Sequence, residues 1–356
     1  MAPAMGSALM LAACGGGGGG GGSSSTPPPA AASDPRNGSF SAFVTNGTRQ
    51  TLALDFDNKT YTWSDSANAQ VTGKFVEDSA QPGTYVFQSS RITTTANTAR
   101  FRLAHDAVVG AFPFQLATSA AESYATQPFV AARTLETRQV ALDGVYNRFG
   151  INVSTTTKLS DISQFQISGG GTTLTRCDDA TIYRIETCPS ASLQTWQLSP
   201  GSKSGNWNMV NLTTPGGGTG VMSIALVGGK KVFLIAGQDL DHPGTAVFRI
   251  GLPESTDWPA GNAYGGTTAG AWGTLQLRAD STSTRINVNP NGATTQSVHT
   301  YTALLSPDAP KGIRSLTNTT TGDDYFAMQG SFMFAIIGAQ DNNRVTDGYL
   351  QLDLID

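Results

Sequence analysis

Short stretches in which apolar and polar residues alternate run along the chain from Gly38 onward, and turn residues separate them. Residues 51–56 alternate, Asp57-Asn58-Lys59 is typical of a turn, and residues 60–63 alternate again, which predicts a β-hairpin. Comparable strands are predicted at 71–76, 84–88, 100–103, 108–116 and 129–135. Residues 117–127 lack this alternation, so we predict a short helix or a long loop there.

The composition favours strands and turns over helices. Hydrophobic residues make up 39% of the chain but charged residues only 13%, well below their usual share. Gly, Thr, Ser and Asn take their place, and the Glu and Lys that normally cover exposed helices are few. We therefore predict an all-β protein with two or three antiparallel modules in tandem. Each would be a β-barrel or a β-sandwich, because both architectures protect strand edges.

Similar segments recur along the chain, which indicates repeated modules. A glycine stands two residues before an aromatic residue at Gly38/Phe40, Gly144/Tyr146 and Gly270/Trp272, and a tight turn follows each pair. Segments 232–252 and 333–354 also match, because each has an apolar strand, a loop that contains Gln-Asp, and an alternating strand. We predict modules at 37–137, 138–256 and 257–356, with the last two either separate or joined in one larger domain.

The amino-terminal region has the features of a membrane anchor. Leu11-Ala12-Ala13-Cys14 resembles the lipobox of bacterial lipoproteins, and the resemblance covers residues 1–14 only. It implies that residues 1–13 are cleaved from Cys14 and that the acylated thiol of Cys14 holds the protein to a lipid bilayer. Residues 15–36 are rich in Gly, Ser and Pro, which predicts a disordered tether. Because Gly15 follows the cysteine where Asp would signal retention, the resemblance implies the bacterial outer membrane or cell surface.

The other two cysteines, Cys177 and Cys188, are close together in the sequence. An oxidising envelope favours a structural disulfide between them that staples a hairpin. The alternative is a metal site, but the segment between the two cysteines contains no histidine.

Two loops and one tryptophan are candidate binding residues. The loops at 238–244 and 341–348 gather oxygen ligands of the kind that Ca²⁺ prefers, and they predict a calcium site; the candidate ligands are Asp239, Asp241, Asp341, Asn343 and Asp347. These residue types also dominate ordinary turns, which is the alternative, and no other cofactor is predicted. Trp258 lies between Asp257 and Pro259, where we predict an exposed ring, or one wedged between modules, that binds a partner.

The chain contains no recognisable catalytic motif. It has three histidines, His105, His242 and His299, and no Gly-x-Ser-x-Gly sequence. A net charge of −4 without a basic stripe argues against nucleic acid as a partner. We therefore favour a lipid-anchored envelope protein with a non-catalytic binding or structural role, whose partner at the cell surface is a glycan or a protein. One alternative is a surface-anchored hydrolase of extracellular polymers, and another is a barrel that carries an apolar ligand.

Overall fold

The computed structural model describes residues 32–115, 123–154, 156, 158–214, 218–239, 242–318, 322–341, 344–345 and 347–356. At 340–341 and 344–345 the description covers the backbone alone. The predicted signal and most of the predicted tether, including Cys14, lie outside the described residues. Among the described residues no helix is both long enough and apolar enough to cross a bilayer.

The first eight strands form a closed antiparallel barrel, barrel 1. Its strands are β1 Gly38–Val44, β2 Arg49–Asp55, β3 Thr60–Ser64, β4 Gln70–Glu77, β5 Thr84–Gln88, β6 Arg100–Ala104, β7 Ala107–Gln115 and β8 Tyr124–Ala132. The predicted hairpin is β2 and β3, and β8 pairs with β1 to close the sheet. Strand β8 starts within the segment predicted as helix or loop, because its residues pair with β7 along its whole length.

The next eight strands form a second closed barrel, barrel 2, in which the last strand pairs with the first. Its strands are β9 Gly144–Val153, β10 Lys158–Ser168, β11 Thr173–Cys177, β12 Leu193–Pro200, β13 Trp207–Asn211, β14 Thr219–Val227, β15 Lys230–Gln238 and β16 Ala246–Pro253. Three single turns of 3₁₀ helix accompany them, at Gln139–Leu142, Ile185–Thr187 and Ser190–Ser192.

The remaining strands form barrel 3, a nine-stranded sheet that is nearly closed. The strands are β17 Gly261–Thr267, β18 Trp272–Leu277, β19 Thr282–Val288, β20 Thr294–Thr300, β21 Thr302–Ala303, β22 Ile313–Thr317, β23 Asp324–Gln329, β24 Met333–Gly338 and β27 Leu350–Ile355, with the short pair β25 Gln340–Asp341 and β26 Arg344–Val345 beside them. Strand β27 pairs with β17, whereas β20 and β21 are the two edges of the sheet. The prediction of an all-β fold with two or three antiparallel modules in tandem is confirmed, and of the two architectures left open the structure shows barrels.

Aromatic side chains fill the interior of barrel 1. Alternate residues of a barrel strand point inward, and Trp63 packs edge-on against Phe114 and Phe129 with ring centroids 5.0 Å and 4.9 Å apart. The same buried cluster contains Phe40, Phe56, Tyr61, Phe75, Tyr85, Phe87, Phe101 and Phe112. The described part of this interior is therefore packed with protein side chains, whereas an apolar-ligand carrier needs a void there.

The outer faces of the three barrels share one hydrophobic core. Barrel 1 contributes Val109 and Val130, barrel 2 contributes Ile151 and Phe248, and barrel 3 contributes Leu352, each with neighbouring buried residues. Strands β24 and β27 are buried at every position, because one face points into barrel 3 and the other into the shared core. This double burial explains the continuous apolar run of β24, whereas β27 alternates and buries the polar side chains of Gln351 and Asp353 on its second face. Residues 34–356 form one compact unit.

The predicted disulfide between Cys177 and Cys188 is confirmed. Cys177 ends β11, and Cys188 follows the short 3₁₀ helix Ile185–Thr187. The loop that the bond closes contacts barrel 3, because the backbone N–H of Arg184 donates to the carbonyl oxygen of Asp308 at 2.7 Å. The disulfide therefore also fixes a contact between barrels 2 and 3.

Candidate binding cavity

A cavity of about 1070 Å³ lies where one end of barrel 2 faces strands β1 and β2 of barrel 1. Two glycines in its wall, Gly220 of β14 and Gly237 of β15, occupy positions where neighbouring strand residues point into the barrel. A Cβ atom added at either glycine would have no heavy atom within 4 Å. The absence of side chains at these two positions leaves this end of barrel 2 open.

The other end of barrel 2 is filled. Tyr146 stacks on Phe165 with ring centroids 5.1 Å apart, and Phe165 contacts Phe233 at 4.6 Å. The same cluster contains Leu142, Ile167, Leu174, Leu198, Trp207, Met222 and Ile224. The cavity therefore occupies the end of barrel 2 that contains Arg148, Arg176 and Arg249, beyond a plug of apolar side chains.

Three arginines line the cavity and surround a single carboxylate. Asp161 lies 2.5 Å from an Nη atom of Arg148, 3.5 Å from Nε of Arg249 and 3.9 Å from an Nη atom of Arg176. Arg176 also pairs with Asp178 at 2.8 Å. We call Arg148, Arg176 and Arg249 the arginine cluster; its three positive charges exceed the two carboxylates that contact it.

The pKa values in this cluster show the cost of packing like charges together. Burial lowers the pKa of Arg148 to about 9, and repulsion from Arg176 and Arg249 acts in the same direction, whereas Asp161 opposes both. Burial also lowers the pKa of Arg249. Burial by itself would raise the pKa of Asp161, but attraction to the three arginines holds this pKa below its ordinary range. A second negative charge near these guanidiniums would stabilise their charged forms.

A glycine on the neighbouring strand makes room for Arg249. Gly150 of β9 pairs with Arg249 of β16, and a Cβ atom at Gly150 would lie 2.1 Å from Cδ of Arg249. The guanidinium of Arg249 then donates to the carbonyl oxygen of Ile151 at 2.7 Å. The sequence thus combines a glycine on one strand with an arginine on the next to bury a charge inside the barrel.

Barrel 1 contributes a fourth arginine, Arg49 of β2. Its Nε donates to the carbonyl oxygen of Ala236 at 3.1 Å, and its Nη atoms donate to Oδ1 of Asn206 and to the carbonyl oxygen of Val221. All three acceptors are neutral, and in the described parts of the chain no carboxylate forms an ion pair with Arg49. Burial lowers the pKa of Arg49 to about 10. Among the described residues Arg49 is therefore a partly buried cation without a counter-charge.

The remaining wall combines apolar side chains, among them Leu135, Val221 and Ile235, with hydroxyl and amide groups, among them Gln50, Thr51, Ser64, Asn208, Asn211 and Gln238. Trp196 adds an indole ring, with the guanidinium of Arg176 5.1 Å from the ring centroid. With Lys203 the wall has five basic side chains, against the two acidic side chains of Asp65 and Asp239. The chain as a whole has a net charge of −4, so the cavity has the opposite charge balance.

Of the predicted calcium ligands, Asp239 belongs to the rim of this cavity. Its Oδ2 lies 3.2 Å from Nδ1 of His242, and its side chain is in the cavity wall. In the other loop, Asp347 accepts a hydrogen bond from the backbone N–H of Ser160 at 3.2 Å. The structure thus shows each of these two carboxylates with a protein partner.

The remaining calcium candidates cannot be placed in the structure. Asp241 and Asn343 lie outside the described residues, and of Asp341 only the backbone is described. The described residues contain no group of three or more His, Cys, Asp and Glu side chains that could hold a metal ion. Calcium binding at these loops stays a prediction.

Trp258 lies in the interior of barrel 3 and is 8% exposed. Its ring centroid is 5.3 Å from that of Tyr301 and 5.8 Å from that of Phe334, and the guanidinium of Arg314 lies 4.2 Å from the ring centroid. The chain segment before β17 places the ring in the buried cluster of this barrel. The ring that the sequence suggested as a binding residue therefore packs against the core of barrel 3.

One histidine contacts a serine, which is the arrangement that a hydrolase would need. Nε2 of His299 lies 2.9 Å from Oγ of Ser297, two residues earlier on β20. A serine nucleophile needs a base that can become an imidazolium, usually beside a carboxylate. Here burial lowers the pKa of His299, and the nearby positive charge of Arg285 lowers it further. Asp353, the carboxylate of this interior, is instead paired with Arg285 at 2.7 Å.

We expect the lowered pKa of His299 to make the fold less stable in mild acid. Because the folded protein binds this proton less readily than the unfolded chain, stability is full above the ordinary pKa of 6.5 and falls as the pH drops below it. The change His299→Gln removes the titrating group and should flatten the dependence of unfolding free energy on pH between pH 7 and 5. One proton accounts for at most about 1.4 kcal/mol per pH unit.

Urea unfolding at each pH measures this effect. The exposed His242 gives the matched control, because His242→Gln removes a histidine whose ring is 77% exposed. Equal slopes for His299→Gln and the unchanged protein would contradict the expectation.

Arg49, Arg148, Asp161, Arg176 and Arg249 were not singled out from the sequence. A signal for two of them exists in the strand pattern. Arg148 precedes an apolar run in β9, and Arg249 stands between Phe248 and Ile250 in β16, so both charges fall in strands that are otherwise buried. Three strands bring their charges to one carboxylate because of the register of the barrel. The pattern of a single strand carries no information about this register.

No protein-family model matches this sequence, and no curated protein matches it. Among solved structures, transferrin binding protein B from Haemophilus parasuis is similar at a TM-score of 0.26 and 8% identity, covering 87% of this chain and 66% of that one. The chain thus spans just under two thirds of that protein. A protein of unknown function from Nostoc punctiforme is similar at a TM-score of 0.17 and 12% identity, covering 90% of this chain and 93% of that one. Likeness at this level supports no inference about the present protein.

Proposed function

We propose that this protein is a non-catalytic binding protein of a bacterial envelope, and that it holds a polar ligand in the cavity between barrels 1 and 2. The observation that carries the proposal is the construction of this cavity. Inward-facing glycines open one end of barrel 2, and hydroxyl, amide and guanidinium groups converge on the space. A large concave site with a few convergent polar groups is typical of ligand-binding sites.

The hydrolase alternative has less support in the described residues. Its best feature, the contact between Ser297 and His299, lies in barrel 3, and the base is disfavoured by Arg285. The carrier alternative does not account for the four arginines and one lysine that stand among the apolar side chains of the cavity wall. A binding role therefore accounts best for the site.

The binding role is tested by filling the cavity from within. Gly220→Trp and Gly237→Trp each add an indole where a Cβ meets nothing within 4 Å, and neither glycine has a left-handed backbone. The full chain is applied to an array of soluble neutral and acidic oligosaccharides. We expect the unchanged protein to bind a subset of them and each filled variant to lose at least tenfold in affinity, with unfolding free energy within about 1 kcal/mol of the original.

Val298→Trp is the matched control, because it adds the same ring at a position on β20 that is 66% exposed and outside the cavity wall. The control should bind as the unchanged protein does. No binding to any member of the array, or binding that survives both filled variants, would contradict the proposed function.

The envelope location is a separate part of the proposal and depends on Cys14. If the thiol of Cys14 is acylated, the protein sediments with membranes, and Cys14→Ser moves it to the soluble fraction. An unchanged distribution after this substitution would refute the anchor without bearing on the cavity.

A further inference from the structure

We propose that the ligand of this cavity is a saccharide that carries a carboxylate, and that Arg49 and the arginine cluster recognise the carboxylate. This inference rests on the proposed function, because it names the ligand class of the same site. Three independent features of the cavity lead to it: the excess of positive charge, the unused donors of Arg49, and the chemistry and size of the rest of the wall.

The charge of the cavity wall favours an anionic ligand. Five basic side chains line the cavity of an otherwise acidic chain, against Asp65 and Asp239 in the wall and Asp161 and Asp178 on the arginines, which leaves an excess of one positive charge. Within the arginine cluster, Asp161 is shared by three guanidiniums, and Asp178 pairs with Arg176 alone. A concave surface dominated by one sign of charge concentrates ligands of the opposite sign. An anionic ligand is therefore attracted to this cavity, and a cation is repelled.

Arg49 has donors left for that anion. A guanidinium has five N–H groups, and Arg49 makes three hydrogen bonds, all to neutral acceptors. A carboxylate would supply the counter-charge that Arg49 lacks among the described residues. Charge-assisted hydrogen bonds to a guanidinium are stronger than neutral ones, and carboxylates often accept two of them at once. Of the side chains in the wall, Arg49 is thus the one whose hydrogen bonds would stabilise a bound carboxylate most.

The remaining wall fits a saccharide better than a small inorganic anion. Gln50, Asn208 and Asn211 offer amide donors and acceptors, as sugar hydroxyls require, and the wall also contains the indole of Trp196, over which the guanidinium of Arg176 lies. The volume of about 1070 Å³ lies just above the usual range for sites of organic ligands and is far larger than one sulfate or phosphate ion needs. A short chain of acidic sugars would use both the charge and the space.

Isothermal titration calorimetry of the full chain tests this with three probes: trigalacturonate, the neutral maltotriose, and inorganic sulfate. We expect trigalacturonate to bind at least tenfold more tightly than either of the others. Arg49→Gln should lower the affinity for trigalacturonate about 10- to 100-fold and leave the affinity for maltotriose unchanged. Arg49→Lys keeps the charge and should lower the affinity for trigalacturonate by a smaller factor. Lys230→Gln removes an exposed charge that is not in the cavity wall, and it should have no effect.

A second measurement needs no substitution, which matters because Arg49 also links the two barrels. Raising the salt concentration should weaken the binding of trigalacturonate and not that of maltotriose, because salt screens only the charged ligand. Equal affinity for trigalacturonate and sulfate would overturn the saccharide assignment. Equal affinity for trigalacturonate and maltotriose, both lost in Gly220→Trp, would overturn recognition of the carboxylate but leave the proposed binding function intact. Binding unaffected by Gly220→Trp would overturn the proposed function itself.

Discussion

We expect the change Asp353→Asn to lower the free energy of unfolding by about 3–5 kcal/mol. The side chain of Asp353 is 0% exposed and that of Arg285 is 2% exposed, and their charged atoms lie 2.7 Å apart inside barrel 3. Asparagine has nearly the shape of aspartate but no charge, so Arg285 would remain buried without a counter-ion. Urea unfolding, followed by circular dichroism, measures the loss from the shift of the transition midpoint.

The double variant Arg285→Met with Asp353→Leu is measured for comparison with this single variant. It removes both charges together and should restore most of the stability, because a buried ion pair can often be replaced by apolar side chains at little cost. A loss below 1 kcal/mol for Asp353→Asn alone would show that the charge of Arg285 is compensated elsewhere. The pair would then contribute little to the stability of barrel 3.

The change Trp63→Ala should cost about 3–5 kcal/mol in barrel 1. Trp63 is 2% exposed and lies among Phe112, Phe114 and Phe129, with ring centroids 4.9–5.4 Å away. The surrounding rings belong to strands held by the closed ladder, so they cannot collapse fully into the space. Thermal and urea unfolding by circular dichroism would report the loss.

Trp63→Phe is the control for this change. It keeps an aromatic ring and removes an indole N–H that has no hydrogen-bond partner among the described residues, so its cost should be well below that of alanine. If alanine and phenylalanine have the same effect, the ring of Trp63 is not packed as tightly as its contacts indicate. Addition of indole should partly restore Trp63→Ala, because an apolar cavity can bind an apolar molecule of matching size.

The sequence was informative about the strands because each strand has two faces with different surroundings. The alternation at 51–63 identified β2 and β3, where Leu52, Leu54 and Trp63 point into the barrel. Where both faces are buried and apolar, as in β24, alternation disappears and only the apolar run remains. The sequence could not tell a barrel from a sandwich, since closure depends on the pairing of β1 with β8, which is distant in the chain.

The candidate site was less accessible to sequence reasoning. The oxygen-rich loops were visible because Asp, Asn and Gly cluster locally, and one of them, through Asp239, reaches the cavity rim. The arginine cluster was not visible, because Arg148, Arg176 and Arg249 come from three strands and meet only through barrel register. Trp258 was predicted to be a binding residue because Asp257 and Pro259 flank it. The polarity of these neighbours did not show that the ring points into barrel 3.

The shared core has a consequence for any attempt to dissect the protein. In most modular chains a single barrel can be excised, because its outer wall already faces water. Here that wall includes Val109 and Val130 of barrel 1 and Leu352 of barrel 3, all of them buried where the three barrels meet. Cutting the chain between barrels would expose these apolar surfaces, which promote aggregation. The smallest fragment suited to structural or functional work is therefore the whole of residues 34–356.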